Sequence, residues 1–354
     1  MIRAVSGVAD MAGYALADLG DSKGISLAQN ESAAPPSPAA LAAGASALED
    51  AALYPDPDWR TLRAAIATIH PVCAENVLCG AGSMELIGCI VRAFAGHGDT
   101  VLGAQFGYLF VATAAQQAGA VYLRAPEPNL AVSVDGILAS VDAATRLVYV
   151  CNPGNPTGTR ISNAEIVRLR EALPQDALLV VDQAYAEFDD QDHESIFALV
   201  ARGDTVVTRT FSKAYALAGL RVGWGAFPPA IGAEVRKLLN PNNIAAQSQA
   251  MAAAAMIDQA HMRSIVEKIA KLRDETAARL RAAGYKVPAS HANFLLVRFR
   301  DAEAAAKADH ALREAGLILR GMGGYGLPDA LRATIGSPEA MARMVETLEA
   351  LAND

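Results

Sequence analysis

The chain is predicted to be an α/β protein: a large domain with a mostly parallel sheet sandwiched by helices, plus a smaller α+β domain. Three observations predict this. From about residue 59 to 227, helical periodicity alternates with short apolar runs. Most of those runs lack polar–apolar alternation, as strands buried on both faces do. After about residue 240 the texture changes to a long amphipathic helix followed by short strands.

The elements follow in order. Residues 33–47 (AAPPSPAALAAGASA) read as an irregular arm running into a helix. Helices are expected at 60–69, 84–94, 109–118 and 164–172, the last opened by Ser162 with Glu165 as a capping box. Strands are expected at 100–102, 147–151, 178–182, 205–209 and 222–226. Beyond them come a helix over about 259–283, stopped by Gly284, and strands at 294–299, 317–319 and 331–335. Ser337-Pro338-Glu339 caps the final helix. The expected division is an arm (1–30) that joins the small domain, a large domain (30–240) and a small C-terminal domain (241–354).

Composition narrows the function. With 354 residues, 52% hydrophobic and 19% charged, the chain suits a compact globular protein. No apolar run approaches the roughly 20 residues of a membrane span, and the first residues do not read as a signal peptide. A net charge of −8 argues against nucleic acid as partner. Cys73, Cys79, Cys89 and Cys151 form no CxxC pair and have no histidine cluster beside them. They are expected to be buried thiols in a reducing, cytoplasmic compartment.

The chemistry concentrates where apolar runs end, which is where open α/β sheets bind ligands. One run leads into Thr210-Phe211-Ser212-Lys213, with Arg221 eight residues beyond the lysine. Read alone, Lys213 suits a surface lysine. At a buried strand end, desolvation would lower its pKa and make it a nucleophile, with hydroxyls and an arginine to hold a phosphate beside it. Another run ends in Asp182, with Tyr185 three residues on. A carboxylate closing a buried strand needs a partner, and a protonated pyridine nitrogen is a suitable one, though a helix cap is the other reading. Cys151-Asn152-Pro153-Gly154-Asn155-Pro156-Thr157-Gly158 is a turn stiffened by two prolines that fixes the Asn155 amide. Gly80-Ala81-Gly82-Ser83-Met84 opens a helix whose N–H groups can meet a phosphate.

In this order the segments resemble the fold-type I pyridoxal-phosphate enzymes over nearly the whole chain. The resemblance is closest to the histidinol-phosphate aminotransferase branch of the class I/II aminotransferases. The segments that carry it are QNE at 29–31, YPDP at 54–57, GAGSMEL at 80–86, CNPGNPTG at 151–158, VVDQAY at 180–185, RTFSKAYALAGLRVG at 209–223 and LRATIG at 331–336. It implies pyridoxal 5′-phosphate as cofactor, joined to Lys213 as a Schiff base. It implies Asp182 on the pyridine nitrogen, Asn155 and Tyr185 on the phenolic oxygen, and Tyr108 stacked on the ring. Ser83, Met84, Thr210, Ser212 and Arg221 would hold the phosphate, and Tyr54 would reach the phosphate of a neighbouring subunit in a homodimer. Arg332 would grip a substrate carboxylate, with Arg320 as the second arginine, and Tyr14 and Asn30 would lie beside the substrate. The partners implied are a small-molecule amine donor and a 2-oxo acid.

Three departures fall on the substrate side. Gln105-Phe106-Gly107-Tyr108 stands where the family often has Pro-Thr-Tyr, the arm over 12–18 carries no arginine, and Pro241-Asn242-Asn243 lacks the usual aromatic. The donor therefore stays open between an amino acid or amino alcohol phosphate and an aromatic or aliphatic amino acid. A decarboxylase resembling threonine-phosphate decarboxylase shares the motif set. A cofactor-binding regulatory module is the remaining alternative, disfavoured by the acidic charge.

Overall fold

The computed structural model of the chain describes residues 2, 6–9, 11 and 24–353. Its strands are β1 (Ile25–Ser26), β2 (Val77–Gly80), β3 (Thr100–Ala104), β4 (Val121–Ala125), β5 (Thr145–Cys151) and β6 (Leu178–Asp182). They continue as β7 (Thr205–Thr210), β8 (Gly223–Ala226), β9 (Phe294–Arg298), β10 (Leu317–Ile318), β11 (Arg320–Gly321) and β12 (Ala330–Thr334).

Seven strands form the central sheet in the order β2-β8-β7-β6-β5-β3-β4. From β7 to β4 every pairing is parallel, whereas β8 runs against both of its neighbours. Strands β6 and β7 are buried at every position, which explains why all their residues except Asp182 and Arg209 are apolar or β-branched. The Ser83–Phe94 helix packs on this sheet through Leu86, Ile87, Ile90 and Val91, spaced to fall on one helical face.

The C-terminal part uses the same rules on a smaller scale. The Gln259–Ala282 helix buries Met262, Ile265, Ile269, Arg273, Thr276 and Leu280 at spacings of three and four. Asp258 caps its start by accepting the His261 N–H, and Gly284, at φ +91°, follows its end. Strands β11, β12 and β9 form an antiparallel sheet. Strand β1 pairs in parallel with β10, so the segment entering the large sheet's active end is fastened to the C-terminal part.

Some expectations change. The expected strands extend or trim by one or two residues: β5 starts at Thr145 and β3 reaches Ala104. Four strands were not foreseen, among them the two-residue β1 and β11. β4 is a half-exposed edge strand, and β2 is a four-residue partner of β8. Cys79, Cys89 and Cys151 are buried thiols as expected, but Cys73 is exposed, on the short turn before β2. No helix among the described residues is long and apolar enough to cross a membrane.

Candidate active site

The carboxyl ends of β5, β6 and β7 face a cavity of about 560 Å³. Its lining brings together Asn30, Ser83, Met84, Tyr108, Asn155, Asp182, Tyr185, Thr210, Ser212, Lys213, Arg221, Arg320 and Arg332. Segments more than three hundred residues apart thus converge on one space. Tyr54 does not line it; it is 89% exposed on the surface of its own chain. Tyr14 lies outside the described residues.

Lys213 follows β7. Its Nζ donates to the backbone oxygens of Gln29 (3.1 Å) and Asn30 (3.0 Å). Asn30 adopts φ +55°, in the left-handed region, which asparagine tolerates better than most residues. Burial, then the positive charge of Arg332, bring the Lys213 ammonium down from the ordinary lysine range to about 7. The side chain expected to be a nucleophile therefore has a substantial neutral fraction near neutral pH.

Asp182 closes β6 and is buried. Its Oδ2 accepts the Tyr149 hydroxyl at 2.5 Å, and its Oδ1 accepts the Thr208 hydroxyl at 3.1 Å. Burial pushes the carboxyl up; the hydrogen bonds of Tyr149, Thr208 and the Ala184 N–H pull it back part of the way. The Tyr185 hydroxyl accepts from Asn30 Nδ2 at 2.9 Å, and its ring meets Phe294 edge-on. Arg332 is buried; Nη1 donates to Asn155 Oδ1 at 2.6 Å and Nη2 to the Ala28 carbonyl at 2.8 Å. Its Nε is buried without a partner, an uncompensated donor in the wall of the cavity.

A cradle of donors occupies the other end. Thr210 Oγ1 donates to Ser212 Oγ at 3.0 Å, and Arg221 Nη1 reaches Ser212 Oγ at 3.4 Å. The Ser83–Phe94 helix begins beside them, with Gly82 at φ +83°. A Cβ on Gly82 would stand 2.6 Å from Arg221 Nη2, so glycine is what lets the arginine approach the helix end. Glu85 Oε2 braces this turn by accepting from the Ala81 N–H and from Asn243 Nδ2, both at 2.6 Å. Asn243 belongs to the segment that departs from the family pattern; it also accepts from Trp59 Nε1 at 3.1 Å. The Gln105–Tyr108 departure has an account too. Phe106 packs against the cluster of Leu296, Met322 and Tyr325, beneath Tyr325 of the cavity wall.

The motifs do not point to Tyr149, Thr208 or Tyr325, of which the last lines the cavity. Tyr149 lies two residues before Cys151 on β5, and only the pairing of β5 with β6 brings it to Asp182.

These donors suit one kind of group. A helix N-terminus, two hydroxyls and an arginine bind a phosphate. At the far end a carboxylate held by hydroxyl donors suits a protonated ring nitrogen, and between them stands a lysine with a depressed pKa. That combination, on this sheet, defines the fold-type I pyridoxal-phosphate enzymes. The chain belongs to the aminotransferase family described as "Aminotransferase class I and II", whose profile it matches over residues 22–348. It is 40% identical to a histidinol-phosphate aminotransferase of Jannaschia sp. over 99% of this chain and 98% of that one. A histidinol-phosphate aminotransferase of Ruegeria pomeroyi is likewise 40% identical, over 92% of this chain and 90% of its own. The crystal structure of histidinol-phosphate aminotransferase from Sinorhizobium meliloti with pyridoxal-5′-phosphate superposes with TM-score 0.89 at 28% identity, covering 93% of this chain and 91% of that one. An aromatic aminotransferase from Pyrococcus horikoshii shares the fold at TM-score 0.84 and 21% identity, over 94% of this chain and 96% of that one. The protein is a pyridoxal-phosphate-dependent aminotransferase.

Proposed function

We propose that the amine donor carries a phosphate at the end remote from its amino group, with histidinol phosphate the best fit, and that a 2-oxo acid such as 2-oxoglutarate is the acceptor. The observation that carries this is a cross-strand pair. Arg320 on β11 stands directly opposite Arg332 on β12, and both line the cavity. Directly opposed residues of an antiparallel pair project to the same face, where like charges repel. Two guanidiniums side by side suit a dianion better than a single carboxylate. The unpartnered Nε of Arg332 adds a donor to that site. The names of the relatives at 40% identity support the same reading.

Pyridoxal phosphate, when bound, supplies an aldehyde that condenses with primary amines and a ring that accepts the electrons released at the substrate Cα. In this reading Lys213 would hold the cofactor through its Nζ and, once the donor's amine has displaced it, the freed Nζ would take the Cα proton. Asp182 holds the ring nitrogen protonated, and Asn155 and Tyr185 hold the phenolic oxygen. Tyr108 covers the ring. Ser83, Met84, Thr210, Ser212 and Arg221 hold the cofactor's phosphate, while Asn30 positions Tyr185. Residues 30–240 act as the large domain, and 241–354, with the arm, as the small one. Tyr54 serves the site of a second copy, which makes the working unit a homodimer.

The test is a comparison of donors with 2-oxoglutarate as acceptor. Charged hydrogen bonds to the phosphate predict kcat/KM for histidinol phosphate at least about 10-fold above that for histidinol and for phenylalanine. The preference should collapse in Arg320→Gln. Equal values for the three donors would remove the phosphate from the proposal.

A further inference from the structure

We infer that Tyr149 is a positioning residue for the reaction: its hydroxyl orients the Asp182 carboxylate and stabilises its negative charge toward the cofactor's ring nitrogen. The inference rests on the assignment of pyridoxal phosphate to this cavity.

Three adjacent strands build the arrangement. Cys151 on β5, Asp182 on β6 and Thr208 on β7 are register partners, so their side chains share one face of the sheet. Tyr149, two residues before Cys151, lies on that face as well. Its ring fills the space beneath Asp182 and is only 2% exposed. A buried hydroxyl needs a partner, and Tyr149 donates to Asp182 Oδ2 at 2.5 Å. That distance belongs to a charge-assisted O–H···O bond. Burial and the neighbouring carboxylate both push the phenol well above its ordinary range, so it keeps its proton and acts as donor. Thr208 supplies a second donor on the other oxygen. An ionised carboxylate has about four lone-pair sites. Tyr149, Thr208 and the Ala184 N–H take three of them, which leaves one for a cationic N–H in the cavity. The role of Tyr149 is therefore to stabilise the charge and fix the plane of Asp182 before the ring arrives. The other titratable or charged groups that share the face of Asp182 or line the cavity with it are Cys151, Glu31, Tyr108, Tyr185, Lys213, Arg221, Arg320, Tyr325 and Arg332.

The experiment separates this role from packing. Dissociation constants are measured for pyridoxal phosphate and for 1-deazapyridoxal phosphate, whose ring nitrogen is replaced by C–H, on wild type and Tyr149→Phe. The variant keeps the ring and removes only the hydroxyl. The expected result is about 10-fold weaker binding of pyridoxal phosphate by the variant, with the deaza compound bound equally by both proteins. Equal loss for both ligands makes Tyr149 a packing residue and overturns the inference, as does no loss for either. Failure of wild type to bind pyridoxal phosphate would instead strike the cofactor assignment. Should Tyr149→Phe not fold, wild type carries the test through the Tyr149 hydroxyl proton. It should resonate far downfield in the proton NMR spectrum and move upfield in Asp182→Asn. No downfield signal, or one indifferent to Asp182→Asn, overturns the inference.

Discussion

Lys213 is held in two ways that pull against each other. Its Nζ donates to two backbone carbonyls, which favours the charged form, while burial and Arg332 favour the neutral one. The balance falls at about 7, below the usual lysine range. The consequence for cofactor capture has a definite sign. Only the neutral amine attacks an aldehyde, so capture by the cofactor-free protein slows as pH falls below 7. Below that point the neutral fraction drops about 10-fold per pH unit, and above it the amine contributes no further slope. Stopped-flow uptake of pyridoxal phosphate between about pH 5.5 and about pH 8.5 reads this directly. A slope that persists up to the ordinary lysine range would show that burial does not govern Lys213. Lys213→Ala should abolish the visible absorbance of the lysine-linked cofactor at every pH.

At the scale of elements, the phosphate cradle depends on how closely β8 passes the start of the Ser83–Phe94 helix. A Cβ on Gly223 would overlap the backbone nitrogen of Ser83 and the carbonyl carbon of Gly82. Backbone cannot step aside as a side-chain tip can, so Gly223→Ala should cost about 1–3 kcal/mol of stability, at the upper end of that range. It should also weaken cofactor binding, because the displaced N–H groups are those expected to hold the phosphate. Urea unfolding and a cofactor titration on the variant check both; unchanged values would mean that strand and helix separate without cost. This cradle also shows what the sequence makes legible. The glycine-rich turn, the Lys213 and Asp182 strand ends and the Asn155 turn were readable because backbone demands there admit few residue types. Tyr149 and Asn243 were not, since their value depends on partners up to 184 residues away. Strand β4 was hidden for a related reason: its half-exposed residues are ordinary, and its pairing with β3 makes it a strand.

At the scale of the whole molecule, the described residues leave a stretch of large apolar side chains uncovered. Leu41 is 50% exposed, Leu48 56%, Leu53 69% and Tyr54 89%, all within fourteen consecutive residues. Scattered apolar side chains on a surface are ordinary, but a run of large ones marks a contact site. Tyr54, expected to reach the phosphate of another subunit, stands at the end of that run. The face and the residue thus call for the same partner, a second copy of the chain. Sedimentation equilibrium should give twice the 36.9 kDa chain mass. Placing a charge in the face with Leu48→Glu and Leu53→Glu should yield monomers that bind pyridoxal phosphate about 10-fold more weakly or worse, through loss of Tyr54 from the site. Tyr54→Phe should leave the dimer intact and reproduce most of that loss of affinity. A monomer with full cofactor affinity would refute the shared site. A dimer whose affinity ignores Tyr54→Phe would keep the interface and take Tyr54 out of it.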